Sequence, residues 1–193
     1  MNLMLLLLLA KHYSMKKILV IVIILATVRS NAQNLLMTDE TTDIKFAAKN
    51  LFGRFEGAFK GVKGVAFLDS SNLSQSFLRL SFDATTGAIH DNVIVPNLVK
   101  EACLNTAKYP TIEFESTSIT KLAGGNKYQF NGTLKVKELS NSISFPFTAI
   151  ANVGGYDLRF TFPLNKKDFN LDCPVFKKIN ISVAGYAKRI VVF

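Results

Sequence analysis

Most of the chain consists of short segments in which apolar and polar residues alternate. In the clearest segment Ile112 and Phe114 share one parity, and the residues between and beside them are polar. Because successive side chains of a strand point to opposite faces, this alternation predicts a half-buried strand over 109–117. Pro110 suits the beginning of such a strand, since proline cannot donate to the hydrogen-bond ladder.

The same alternation recurs in the two segments that follow. Their apolar positions are Tyr128, Phe130, Leu134 and Val136 in one, and Ile143, Phe145, Phe147 and Ala149 in the other. Short connections at 123–126 and 138–141 separate the three segments. Half-buried strands joined by tight turns predict an antiparallel meander.

Five further segments have strand character, at 41–46, 52–67, 76–83, 156–164 and 179–193. Glycines in the second of these allow a bend near 61–64. In the third and fourth, the residues of one face are Leu78, Leu80 and Phe82, and Leu158, Phe160, Phe162 and Leu164. In the last, Ile190 and Val192 are expected to resume the sheet after Ile181 and Val183, with the C-terminus held in the structure.

One segment, 91–108, breaks the period of two. Apolar residues at helical spacing after Pro96 and Asn97 predict a short helix at about 97–105, with Glu101 near its positive end. A helix of this length is marginal alone, so it should lie across an open end of the sheet.

About eight strands with one apolar face predict an all-β fold, an antiparallel up-and-down barrel with one or two short helices. A flat sheet of this size would expose two edges, and one short helix could not cover its apolar face. Closure solves both problems and leaves an interior that is either filled by side chains or holds one small ligand. Sixteen phenylalanines and no tryptophan favour an aromatic lining, but the pattern alone favours neither an open lumen nor a packed one.

The first 32 residues have the features of a leader. A second, better-formed signal begins at Met15, with Lys16 and Lys17 before an apolar run and small residues ending at Ala32. We expect cleavage after about Ala32, a periplasmic or secreted protein and a single domain over 33–193. A retained anchor is the alternative, but neither apolar run reaches the roughly twenty residues that span a bilayer. The residue directly after the expected cleavage point is Gln33 and not a cysteine, so a lipoprotein anchor is not indicated.

Charge and chemistry exclude several function classes. Loss of the leader removes four of the nine net positive charges, and the remainder form no block that would track phosphates, so nucleic-acid binding has little support. With His90 as the single histidine after the leader, a zinc site of several imidazoles is excluded, and beside Asp91 it makes no recognisable catalytic triad. No cofactor motif is present, and the chain is predicted not to be an enzyme. Cys103 and Cys173 could pair in an exported protein or stay free.

Several motifs occur in the order and spacing of the YceI-like family, which the chain therefore resembles. They are Phe52-Gly53-Arg54-Phe55-Glu56-Gly57, Thr86-Gly87, Lys108-Tyr109-Pro110-Thr111-Ile112-Glu113-Phe114-Glu115-Ser116-Thr117, Tyr128-Gln129-Phe130-Asn131-Gly132-Thr133-Leu134 and Asn165-Lys166-Lys167-Asp168-Phe169. The resemblance covers about 41–193. It implies an exported, lipocalin-like barrel that takes up polyisoprenoid or other long-chain lipid.

The chain departs from the family pattern in two places. The arginine of the family's Arg-Asp-x-His-Leu motif is absent, Asn97 stands where its histidine would fall, and about three residues are added. Glu138 replaces a glycine after the strand that contains Leu134. Both places lie at a barrel mouth or turn, so the resemblance supports the fold and the apolar tunnel more than head-group recognition.

The sequence therefore predicts a binding protein that holds a polyisoprenoid, an isoprenoid quinone or a fatty acyl lipid in the barrel lumen. The candidate lining residues are Leu78, Leu80, Phe82, Ile112, Phe114, Phe130, Leu134, Phe145, Phe147, Phe160 and Phe162, each of which could equally be ordinary core. Lys135 or Lys137 could meet an anionic head group, or be solvated. A filled barrel that binds a protein partner and a barrel enzyme that uses His90 or Asp91 are the alternatives, and homodimer formation is left open.

Overall fold

Nine strands form one antiparallel sheet in the computed structural model, which describes residues 34–49, 54–89, 99–173 and 178–190. The strands are β1 (Leu35–Thr38), β2 (Thr42–Lys49), β3 (Arg54–Phe67), β4 (Phe77–Ile89), β5 (Thr111–Lys121), β6 (Lys127–Val136), β7 (Leu139–Asn152), β8 (Gly155–Leu164) and β9 (Lys178–Arg189). Three short helices lie between strands: a 3-10 helix at Leu73–Gln75, a π-helix at Val99–Leu104 and a 3-10 helix at Lys166–Phe169.

Eight of these strands close into a barrel. Each strand from β2 to β9 pairs with the next along the chain, and β9 pairs back with β2. The predicted up-and-down barrel of about eight strands is therefore confirmed. Closure leaves no long sheet edge unpaired, and the barrel lies entirely within the compact unit Gln33–Phe193.

Strand β1 is an addition to the predicted set, and it occupies the same position in the barrel as β2. Both strands lie between β3 and β9, one after the other. Opposite the break between them, β3 bends at Gly61, whose φ of 73° suits glycine. The Asp39 carboxylate accepts hydrogen bonds from the backbone N–H groups of Gly61 and Val62, each at 2.9 Å. The carboxylate thus satisfies the two donors that the bend exposes.

The apolar parity predicted for β4 to β8 faces the interior, as expected from the period of two. Several boundaries differ from the prediction: β2, β4 and β5 extend further, to Lys49, Ile89 and Lys121, and β9 ends earlier. The continuation of β4 from Asp83 to Ile89 was not predicted, because a bulge against β3 shifts the buried positions and hides the alternation. The prediction for Ile190 was wrong, since β9 ends at Arg189 and Ile190 is exposed. Val192 lies outside the described residues.

The connections between strands gather at two ends of the barrel. The β7–β8 turn at Val153 and Gly154 marks one end, called here the hairpin end, where the β3–β4 and β5–β6 connections also lie. The β4–β5 and β8–β9 connections lie at the other, called the disulfide end because they contain Cys103 and Cys173. The helix predicted at 97–105 is the π-helix of six residues at this end, as placed, while 97 and 98 lie outside the described residues.

Candidate functional site

The interior of the barrel contains all of the residues predicted to line a lumen. None of them is more than 6% exposed, and together they are Leu78, Leu80, Phe82, Ile112, Phe114, Phe130, Leu134, Phe145, Phe147, Phe160 and Phe162. Their common location follows from the strand register, which places inward residues of neighbouring strands side by side. Phe130 pairs with Phe145, for example, and Phe147 with Phe160.

Aromatic rings pack in a continuous series across this interior. The series passes through Phe46, Phe59, Phe82, Phe114, Phe162, Phe145 and Phe130. Successive ring centroids lie between 4.6 Å, for Phe130 and Phe145, and 6.1 Å, for Phe82 and Phe114. These distances are those of favourable stacked and tilted aromatic pairs. The middle of the barrel is thus packed by its own phenylalanines rather than open.

A small apolar cavity of about 30 Å³ remains at the disulfide end. The strands contribute Phe46, Phe59 and Ile112 to its wall, and the connections contribute Leu104 and Leu171. Among the described residues, none contributes a polar side chain to this wall. Its volume is close to that of one water molecule in the liquid, and an apolar cavity of this size stays dry.

A disulfide between Cys103 and Cys173 closes the same end. Their Cα atoms are 4.8 Å apart, and both residues line the cavity. The bond joins the π-helix to the segment that follows the second 3-10 helix, a pairing that the sequence left open. Lys166 Nζ donates to the carbonyl oxygen of Cys173 at 2.7 Å and holds that segment in place.

The two lysines considered as head-group contacts differ in position. Lys135 lies in β6 on the outer face, where its Nζ is 3.2 Å from Glu113 Oε1. Its ammonium group is thus paired on the outer surface, next to the last residue of β6. Lys137 lies in the β6–β7 turn at the disulfide end, with its Nζ 3.5 Å from the carbonyl oxygen of Asn170.

Four ionisable side chains interact near that turn, those of Lys108, Tyr109, Lys137 and Glu138. A hydrogen bond from the Tyr109 side chain lowers the pKa of the Glu138 carboxyl, and nearby Lys137 and Lys108 act in the same direction. Interaction with Tyr109 also raises the pKa of Lys108. The charged groups at this rim thus interact with one another, outside the apolar interior.

A larger concavity of about 620 Å³ lies on the outer surface across β3, β4, β5 and β6. Its exposed floor carries two ion pairs, Arg79 with Glu115 at 2.7 Å and Lys135 with Glu113. This surface also exposes apolar groups such as Leu36 and Phe77, but it is open to water and does not enclose a ligand on several sides. The interior remains the candidate site.

Three other candidate features are a catalytic pair, a metal site and a membrane-spanning helix. His90 and Asp91 lie outside the described residues. Within the described ranges, no three His, Cys, Asp or Glu side chains are placed to hold a metal ion. None of the helices in the described ranges is long and apolar enough to cross a membrane.

Comparisons with known proteins agree with this geometry. The family model of the YceI-like domain matches residues 36–187. The crystal structure of Burkholderia cenocepacia BcnA matches with a TM-score of 0.69 and 21% identity, covering 76% of this chain and 96% of that one. The Campylobacter jejuni YceI protein matches with a TM-score of 0.61 and 17% identity, covering 70% of this chain and 85% of that one. No curated protein sequence matches the chain.

A third structure is a polyisoprenoid-binding domain from Saccharophagus degradans implicated in plant cell wall breakdown. It matches with a TM-score of 0.61 and 9% identity, covering 83% of this chain and all of that one. At these identities the solved structures establish the likeness of fold.

Proposed function

This chain belongs to the YceI-like family, and we propose that it is an exported, non-enzymatic protein that binds a long hydrophobic chain inside the barrel. The ligand classes that fit are a polyisoprenoid, an isoprenoid quinone or a fatty acyl lipid. The observation that carries the proposal is the wholly apolar lining of the interior cavity at the disulfide end. The family match and the polyisoprenoid-binding neighbour support the same ligand class.

The driving force for binding is the removal of apolar ligand surface from water, at about 25 cal/mol per Å². Because the described residues that line the cavity contribute no polar side chain, they offer no side-chain hydrogen bond that would fix the position of the chain. Selection therefore depends on the length and width of the ligand, and a polar head group would remain at the rim.

Binding requires the interior to open. Ligand sites usually enclose about 300 to 1,000 Å³, far more than the cavity of about 30 Å³. Rings of the phenylalanine series must therefore turn away to admit a chain. Entry at the disulfide end is favoured, because the cavity lies there and connections between strands form part of its wall, where backbone pairing is less extensive than within the strands.

Export is proposed on two features. The leader precedes a barrel that is complete without it, and disulfides persist in oxidising compartments such as the periplasm. Expression of the full chain in a bacterium, followed by cell fractionation and N-terminal sequencing, tests this step. A mature N-terminus at Gln33 in the periplasmic fraction or medium is expected, and retention of the leader in the membrane fraction would refute it.

The direct test of ligand binding is to purify the periplasmic protein and examine it by native mass spectrometry, before and after extraction with organic solvent. A stoichiometric lipid that is lost on extraction is expected. The extracted protein should then take up an added polyprenol or a fluorescent fatty acid. Absence of both bound and added lipid would refute the proposal.

A matched pair of variants separates binding in the interior from binding elsewhere. Ile112→Trp fills the cavity and should reduce lipid uptake at least tenfold, whereas Phe77→Trp adds an indole on the outer face and should not. Circular dichroism verifies that both variants fold. If Ile112→Trp does not fold, Ile112→Phe is used in its place. Equal uptake by the interior and outer variants would exclude the interior as the site.

The packed series of phenylalanines favours a second candidate, a filled barrel that serves as a structural or partner-binding module. In that case the purified protein carries no lipid and binds none. The same extraction experiment therefore distinguishes the two functions.

A further inference from the structure

The exposed large hydrophobic residues of the described ranges all lie at the hairpin end. They are Val153 (95% exposed), Ile150 (48%), Leu36 (40%) and Ile190 (37%). Single exposed apolar residues are common on protein surfaces. Here four of them lie at one end of the barrel and none at the disulfide end among the described residues; these four are called the apolar rim.

The strand register explains how residues far apart in sequence reach this rim. Leu36 pairs with Lys188, and Lys188 pairs with Gly155, next to the β7–β8 turn that carries Val153. Beyond this row, the N–H of Ile190 donates to the carbonyl oxygen of Asn34 at 2.9 Å. The starting end of β1, the last residues of β9 and the hairpin tip therefore lie side by side.

Hydrogen bonds hold the hairpin tip in place. The Tyr186 hydroxyl donates to the carbonyl oxygen of Val153 at 2.6 Å, and the N–H of Val153 donates to Asn152 Oδ1 at 2.6 Å. Asn152 Nδ2 in turn donates to Asp157 Oδ2 at 3.1 Å. Val153 is thus presented to solvent by an ordered turn rather than by a loose loop.

Basic residues flank the apolar rim. Lys188 and Arg189 are exposed next to Leu36 and the hairpin, and the N–H of Arg189 donates to the carbonyl oxygen of Gly154 at 2.7 Å. Strand β5 ends at Lys121 and β6 begins at Lys127 at the same end. Two acids of this end, Asp157 and Asp69, accept hydrogen bonds from neutral groups and offset part of this charge, but the four basic residues outnumber them.

We propose that the hairpin end docks on the surface of an anionic phospholipid bilayer. Val153 and Ile150 enter the head-group layer, while Lys188 and Arg189 lie at the level of the lipid phosphates. Separate apolar tips on a curved rim make a poor surface for a rigid protein partner, which needs close shape complementarity. A fluid head-group layer accommodates them, and anionic lipid attracts the flanking cations.

This docking surface is independent of whether the interior holds a ligand, because its residues lie outside the barrel at its rim. It places the disulfide end, with the apolar cavity, away from the bilayer. A failure of lipid uptake would therefore leave this proposal standing, and a failure of docking would leave the interior site standing.

Vesicle sedimentation tests the charge requirement. Residues 33–193, which contain the complete closed barrel, are mixed with phosphatidylcholine vesicles with or without phosphatidylglycerol. Binding is expected only to the anionic vesicles, and it should weaken as salt is raised. The double variant Lys188→Gln and Arg189→Gln should bind about fivefold more weakly per charge removed. Lys45→Gln with Lys167→Gln, which removes the same charge elsewhere, should change binding less than twofold.

A fluorescence experiment tests the apolar tip. Because the chain has no tryptophan, Val153→Trp places a single reporter at the hairpin end, and Ser142→Trp places one on an exposed position of β7 near the disulfide end. Anionic vesicles should shift the emission of the first to shorter wavelength and leave the second unchanged. Val153→Asp should lower vesicle binding about tenfold. No binding to anionic vesicles, or equal behaviour of the two reporters, would overturn the proposal.

Discussion

Cys103 and Cys173, seventy residues apart in sequence, form the disulfide that joins the two segments closing one end of the barrel. Closing so long a loop restricts the unfolded chain and should stabilise the fold by about 4 kcal/mol. We expect the double variant Cys103→Ala and Cys173→Ala to lose about that much free energy of unfolding in urea denaturation. Wild-type protein treated with a reductant is the control, and an unchanged midpoint in both would contradict the stabilising role.

The packed interior predicts a large cost for truncating a central ring. Phe145 stacks against Phe130 at 4.6 Å and Phe160 at 4.9 Å, so Phe145→Ala should destabilise the protein by about 3 to 5 kcal/mol. The matched control is Phe77→Ala, which removes a half-buried ring on the outer face and should cost about 1 kcal/mol. Thermal unfolding followed by circular dichroism compares them. Equal losses would mean that the interior packs loosely.

The bend in β3 depends on Asp39. Asp39→Ala removes the acceptor of the Gly61 and Val62 N–H groups and should destabilise the fold by about 1 to 2 kcal/mol. Both amides should also exchange faster with deuterium. Asp39→Asn retains an acceptor oxygen and should therefore lose less free energy of unfolding than Asp39→Ala. Unchanged exchange at both amides in Asp39→Ala would show that the carboxylate does not stabilise the bend.

The loop between β3 and β4 should respond to acid through Asp69. Hydrogen bonds from the side chain and backbone of Ser71, and from the backbone of Asn72, lower the pKa of this carboxyl below its ordinary value of 3.8. Because the folded pKa is depressed, the stabilisation is present above the ordinary value and is lost as the pH falls through the folded pKa. An NMR titration should give a pKa for Asp69 below 3.8, and Ser71→Ala should raise it. An unchanged pKa in that variant would contradict the assignment.

Much of the fold could be predicted from local pattern, because a side chain's face in a strand depends on the parity of its position. The inward residues of β5, for instance, follow from the alternation of Ile112 and Phe114 with polar neighbours. Strand β1 was missed because Leu36 is apolar yet faces outward, which masks the alternation between Leu35 and Met37. The extension of β4 was missed because a bulge changes the parity within one strand.

For the candidate site, the residues that face the interior could be predicted, but whether the interior is open or packed could not. The amino-acid sequence by itself determined that the interior is apolar and which residues face it, since both depend on neighbours along the chain. Only the tertiary structure decided that Phe130, Phe145 and Phe162 fill the space between them, that two distant cysteines meet, and that Leu36 joins Val153 at one rim. Those outcomes depend on strand register and closure, which bring together residues that no local period connects.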